Sequence, residues 1–220
     1  MPQENPVSIS RLILVPALIT LGITILRVVG ELLQWSKLFF NPAPGGGAAI
    51  VGISWLPIIF GIYFALKLAD AGERPASLGK AVGFTLLGLV VFVGGGVLFA
   101  MSEKGGYGLL AGGVALIIVS MVIPLAGWSK LTKTLLAYGY AARIPVAVLM
   151  IFAIHGSWGT HYDGAPPGFP EMAWLPKWFL IGFLPQMTIW IGFTVIVGSL
   201  LGIAAVAIAR RGKAPAHAAS

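Results

Sequence analysis

Two groups of polar side chains in this sequence could do chemistry, and the first lies inside an apolar segment. Arg27 and Glu31 continue a stripe that begins at Thr20 and Thr24, because steps of three and four residues keep to one helical face. Ionisable residues within a membrane segment are costly and mark ligand or ion pathways. The stripe predicts a polar cavity that opens outward, which Gln186 would also face unless it joins helices instead. The alternative is an ion pair that snorkels to the outer interface.

The second group follows the fifth apolar segment and consists of His155, His161 and Asp163. Imidazole nitrogens and a carboxylate could hold a divalent metal ion or supply a general base, and no other cofactor is indicated by the sequence. Their spacing matches no known metal motif, and Gly156 and Gly159 indicate that the helix has already ended. The alternative is a loop whose polar side chains cap the helix end and bond to the backbone.

The elements that must position these groups are membrane helices. Of the 220 residues, 58% are hydrophobic and only 10% charged, whereas a soluble domain carries about 25% charged residues. Apolar runs of about 20 residues span the hydrocarbon core, and backbone groups in lipid force such runs to be helical. We therefore predict an all-α polytopic integral membrane protein, a bundle of six transmembrane helices. The predicted spans cover residues 10–33, 48–66, 81–101, 107–128, 138–158 and 179–209.

The predicted membrane domain, 10–209, lies between a polar segment, 1–9, and a basic, disordered tail, 210–220. Ten basic residues fall on one side of the six spans and three on the other, with Arg27 inside a span. The ten are Arg11, Lys67, Arg74, Lys80, Lys130, Lys133, Arg143, Arg210, Arg211 and Lys213; the three are Lys37, Lys104 and Lys177. Cytoplasmic loops carry the excess of Lys and Arg, so we predict a multi-pass protein of the cell membrane with both termini cytoplasmic.

The start of the fifth span can be placed at two positions in this topology. Only Arg143 and Pro145 mark its inner end, and residues 129–140 could form an interfacial helix before it, with Lys130 and Lys133 on its polar face.

Glycine spacing predicts where the helices pack and what they associate with. Gly108 and Gly112, and likewise Gly198 and Gly202, stand four residues apart, which lets helices approach closely. The predicted partners are the lipid bilayer and either further copies of this chain or other membrane subunits. Nucleic acid is excluded because no basic run reaches five residues, and the lack of cysteine excludes disulfides and thiol chemistry.

Three functions fit these observations. The first is binding or moving a small solute or ion through an outward-facing polar cavity, lined by Arg27 and Glu31, with Gln186 and the loop after the fifth span at its mouth. The second is an integral-membrane enzyme at the outer surface, metal-dependent or not, that uses Glu31 and the second polar group. The third is a non-catalytic subunit of a larger membrane complex, whose glycine faces dock its partners.

Overall fold

The computed structural model describes residues 7–46 and 49–211, and within these ranges the chain forms helices, turns and loops but no strand. The helices are α1 (Ile9–Leu32), α2 (Leu56–Asp70), α3 (Leu78–Gly105), α4 (Tyr107–Val122), α5 (Leu125–Gly156), α6 (Trp174–Lys177), α7 (Leu184–Met187) and α8 (Ile189–Arg211). A π-helical turn, Trp178–Phe183, joins α6 to α7. The all-α prediction is confirmed.

Four helical stretches are long and apolar enough to cross a membrane, so the chain is a helical membrane protein. They are Ile9–Leu32, Leu78–Ser102, Leu125–Gly156 and Trp174–Ala209. The helices α2 and α4 have 15 and 16 residues, and a 16-residue helix is about 24 Å long, short of a core of about 30 Å. Residues 1–6 and 212–220 of the predicted terminal segments lie outside the described residues, and helix α8 continues through Arg211.

The second predicted span, 48–66, begins too early. The helix starts only at Leu56, because the backbone N–H groups of Ile50 and Val51 are already bonded to the carbonyls of Leu38 and Phe39. Apolar composition alone does not reveal this turn, since the residues before Leu56 are as apolar as those of the helix.

The fifth span differs more from its predicted bounds, and the difference places the charge of Arg143 inside a helix. Helix α5 begins at Leu125, breaks locally at Trp128 (φ −144°, ψ 82°) and then runs on, so residues 129–140 are part of one long helix and not a separate interfacial helix. The fourth span correspondingly ends at Val122. Pro145 lies inside α5, and Arg143 is buried in the middle of the helix, not in a loop. Nine basic residues therefore remain on the predicted cytoplasmic side.

The chain divides into two compact units. Unit 1 consists of Pro57–Ala137 with the described residues up to Leu12 and from Gly192 onward, and unit 2 consists of Ile13–Leu56 and Tyr138–Ile191. In unit 2 one apolar cluster joins α1, α5 and the loop after α5; its buried members are Val28, Val146, Met150, Ala153, Ile154 and Tyr162. This cluster supports the polar residues of α1.

Glycines bring helices together in unit 1, but only one predicted pair does so. A Cβ at Gly198 would collide with the Leu135 side chain of α5, and one at Gly202 would collide with Ala65 and the Gly61 carbonyl oxygen of α2, so the helices pack closely at both positions. A Cβ at Gly108 would meet nothing within 4 Å, and one at Gly112 would make only ordinary contact. Within the described residues, the pair Gly108 and Gly112 therefore brings no other helix into close contact with α4.

The close contact between α3 and α4 is made by Gly95 and Gly113. A Cβ on Gly113 would lie 2.6 Å from the backbone nitrogen of Phe99 and 2.8 Å from the carbonyl oxygen of Gly95. Because Gly112 and Gly113 are adjacent, the sequence alone does not show which of them faces α3. A shift of one residue turns the packing face of the helix by about 100°.

Gly113→Ala and Gly108→Ala should change stability in opposite directions. At Gly113 the new methyl group meets backbone, so the two helices must separate, and we expect a loss of about 1–3 kcal/mol in the free energy of unfolding. At Gly108 the space is open, and the helix propensity of alanine should leave stability unchanged or raised by up to about 1 kcal/mol. Thermal unfolding in mild detergent measures both, and equal effects would contradict the Gly95–Gly113 contact.

Candidate functional site

Three ionisable side chains meet in unit 2, at the C-terminal end of α1. The Glu31 carboxylate accepts a hydrogen bond from Arg27 Nε at 2.8 Å and from the backbone N–H of His161 at 2.9 Å. His161 Nδ1 lies 2.6 Å from Oε1 and 2.8 Å from Oε2 of the same carboxylate. The Glu31 side chain is fully buried, with side-chain exposures of 10% for Arg27 and 16% for His161. We call Arg27, Glu31 and His161 the triad.

Local sequence explains how the triad forms. Arg27 and Glu31 face each other because they stand one helical turn apart on α1. The loop after α5 is held by Asp163, whose carboxylate accepts the N–H groups of Gly159 and Thr160 at 2.9 and 2.7 Å. Gly159 has a φ of +71°, a conformation that suits glycine. The tight loop therefore presents both the backbone and the ring of His161 to Glu31.

The residues before α2 close the other side of the triad. Arg27 Nη2 donates to the carbonyl oxygen of Asn41 at 3.3 Å. A Cβ on Gly52 would lie 2.8 Å from Arg27 Nη1, so a larger residue at 52 would displace the guanidinium. The Arg27–Glu31 pair is therefore enclosed by contacts from two loops, with the Glu31 side chain fully buried.

The electrostatic state of the triad follows from its burial. Burial lowers the pKa of His161, and the Arg27 charge lowers it further, while the Glu31 carboxylate and Asp163 oppose the shift. Arg27 already neutralises Glu31, so a protonated His161 would leave a net positive charge in an apolar setting. Neutral His161 donates from Nδ1 to Glu31, and in the described part of the chain its Nε2 makes no hydrogen bond.

A second polar cluster lies around Arg143. Arg143 is 5% exposed, and its Nη1 donates to the Gln186 side-chain oxygen at 3.3 Å. The guanidinium carbon lies 4.5 Å from the centre of the Trp190 ring, and the hydroxyls of Tyr138 and Tyr162 are close enough to interact with the charge. Among the side chains that the structure describes, no carboxylate oxygen lies within 4.0 Å of Arg143.

Hydroxyl groups continue the polar stripe of α1 between the two clusters. Thr20 Oγ1 lies 2.8 Å from the Tyr138 hydroxyl, and the Tyr162 hydroxyl donates to the Thr24 carbonyl oxygen at 3.5 Å. Burial raises the pKa of Tyr162, so this hydroxyl stays protonated. The stripe from Thr20 to Glu31 covers about 16 Å of α1, and all four of its side chains are buried.

The predicted site residues are therefore distributed over four places. Arg27 and Glu31 meet His161, whereas Gln186 bonds Arg143 and does not share the Arg27–Glu31 site. His155 is exposed and its ring lies edge-on to Trp174, with centroids 5.2 Å apart. Asp163 caps the loop, so the structure does not bring His155, His161 and Asp163 together. Within the described residues, no group of three or more His, Asp or Glu side chains could hold a metal ion.

Arg143 belongs to the candidate site, although its charge predicts a position in a loop. A signal was present: no charged residue stands between Lys133 and Arg143, or between Arg143 and His155. Such an isolated charge in an apolar run is typical of a residue inside a span.

The two clusters must be interpreted from their own chemistry. They bring together two guanidinium groups, one carboxylate and one imidazole, all in apolar surroundings. No family model matches the chain, and no curated protein or solved structure is detectably similar to it.

Proposed function

We propose that this protein binds or moves a small anionic solute through the polar face of unit 2. The observation that carries the proposal is Arg143, a buried guanidinium whose partners in the described structure are an amide oxygen and an indole ring. An Arg at the centre of a membrane helix costs about 2.5–3.5 kcal/mol on the insertion scale. A charge retained at that cost calls for a counter-ion, and a carboxylate or phosphate fits the planar guanidinium best.

The triad differs from the Arg143 cluster in its charge balance. Arg27 and Glu31 neutralise each other at 2.8 Å, and His161 is neutral, so the triad has no net charge to offer an ion. Arg143 therefore supplies the attraction for the anion. The hydroxyls of Thr20 and Tyr138, and Tyr162 beside them, offer hydrogen-bonding groups between the two clusters.

The proposal includes an orientation of the chain in the membrane. Nine basic residues against three still favour a multi-pass protein of the cell membrane with cytoplasmic termini. The C-terminal end of α1, which carries the triad, would then face outward. The partial exposure of His161 supports access for water and solute from that side.

The test is anion binding by the purified protein in mild nonionic detergent. The unfolding temperature is measured with chloride, phosphate, acetate or succinate added. A bulky sulfonate keeps the ionic strength the same in every sample, and glycerol serves as the uncharged comparison. We expect at least one anion to raise the unfolding temperature saturably, since a ligand at 100 times its Kd adds about 2.7 kcal/mol. Arg143→Met should abolish this response.

Arg11→Met provides the matched control, because it removes the same charge from an exposed position of α1. It should keep the full response to the anion. Stabilisation that survives in Arg143→Met, or no saturable stabilisation by any anion of the panel, would overturn the proposal. Uptake of the bound anion into proteoliposomes then distinguishes transport from binding alone.

A second function, enzymatic catalysis at the outer surface, is favoured by one observation. The Glu31 carboxylate fixes His161 through Nδ1 and leaves Nε2 without a hydrogen bond in the described residues, which is how a carboxylate orients a general base. Turnover of an added ester that His161→Gln abolishes, in a protein that binds no anion, would favour this function over the first.

A further inference from the structure

A cavity of about 310 Å³ lies in unit 1, between the α2–α3 loop and the start of α5. The lining residues that matter are Glu73, Arg74, Trp128, Ser129, Lys130 and Lys133. The volume is at the lower end of the range for small-molecule pockets. Its walls hold three cations and one carboxylate.

The cations of this cavity are only partly neutralised. Lys130 Nζ lies 3.2 Å from Glu73 Oε1, so these two charges cancel. Arg74 donates from Nε to the carbonyl oxygen of Ala69 at 2.9 Å, which anchors the side chain but leaves its charge. In the portion of the chain that the structure describes, no carboxylate oxygen lies within 4.0 Å of Arg74 or Lys133. The cavity therefore carries a net positive charge.

The position of the cavity sets what can reach it. Gly127 packs against the backbone of Ala81, near the start of the apolar helix α3, so the cavity lies level with the end of a membrane-crossing helix. Trp128 is buried in its wall and donates from Nε1 to the Glu73 carbonyl oxygen at 2.9 Å. Tryptophan and basic residues at a helix end are typical of the headgroup layer of a bilayer.

We propose that this cavity binds an anionic phosphate group. Arg74 and Lys133 supply the charge, and Ser129 supplies a hydroxyl donor. The phosphate could belong to a lipid headgroup or be free in solution, and both offer the same oxygens to these side chains. The site is independent of Arg143 and of the function proposed for unit 2, because all its residues belong to unit 1.

The experiment compares phosphate sources on the full chain. Native mass spectrometry measures how much lipid the protein retains from micelles that contain phosphatidylglycerol or zwitterionic phosphatidylcholine. In a separate assay, the unfolding temperature is measured as inorganic phosphate is added. We expect retention of phosphatidylglycerol over phosphatidylcholine, or saturable stabilisation by inorganic phosphate, and the arm that responds identifies the source. Arg74→Gln/Lys133→Gln should weaken binding about 10- to 30-fold, since each cation at a membrane surface contributes about 1 kcal/mol.

The control removes the same number of charges nearby. Lys67→Gln/Lys80→Gln changes two exposed lysines that do not line the cavity. This variant should bind like the wild type. Equal weakening in both double variants would show non-specific attraction and overturn the site, as would unselective retention of both lipids with no response to inorganic phosphate. If Arg74→Gln/Lys133→Gln unfolds, Lys133→Gln alone, at an exposed side chain, gives the same comparison with a smaller expected effect.

Discussion

Glu31→Gln should lower the free energy of unfolding by about 3–5 kcal/mol, a large fraction of the stability of a typical domain. The substitution keeps the shape of the side chain and removes its charge. The Glu31 carboxylate receives Arg27 Nε, the His161 backbone N–H and His161 Nδ1, so one change affects all three bonds. The Arg27 guanidinium would remain in an apolar setting without its carboxylate.

Reversible unfolding in mixed detergent micelles measures this loss. The matched control is Glu171→Gln, which makes the same chemical change at an exposed carboxylate of unit 2. Surface substitutions of this kind stay within about 0.5 kcal/mol of the wild type. If Glu31→Gln behaves like Glu171→Gln, the triad does not hold α1 to the loop after α5, and its role in the fold is refuted.

The helical class could be predicted because it depends on local composition. Long apolar runs must become helices in lipid, and the spacing of Arg27 and Glu31 places them on one face without knowledge of any other element. The contact of Glu31 with His161 could not be predicted, since the two residues stand 130 positions apart in the sequence. Only the tertiary fold decides which loop closes over a helix end.

The errors have local physical causes. Lys130 and Lys133 resemble loop residues and therefore predict a boundary after them, although both stand in the first three turns of a 32-residue helix. The same error hid Arg143, the residue on which the proposed function now depends. The spacing rule favours Gly112, because Gly108 stands four residues before it, whereas Leu109 stands four residues before Gly113. The neighbouring helix nevertheless packs against Gly113.

Arg143→Met/Gln186→Met should change stability in the opposite direction from Glu31→Gln. In the protein without ligand, we expect the free energy of unfolding to rise by about 1–4 kcal/mol, since replacing a buried charged network by apolar side chains of similar volume is often stabilising. Both residues must change together, because Arg143→Met alone leaves the Gln186 oxygen without its donor, which costs about 1–3 kcal/mol.

The sign of this effect separates a binding residue from a structural one. Residues kept for function commonly reduce stability, whereas residues that hold the fold together raise it. The same measurement in mixed micelles, made without added anion, therefore tests the role of Arg143 independently of any choice of solute. If the double variant is less stable than the wild type, the Arg143–Gln186 bond and the stacking on Trp190 support the fold, and the anion proposal loses the observation that carries it. If the double variant is more stable and also fails to respond to the anion, Arg143 lowers the stability of the fold and its role is to bind the ligand.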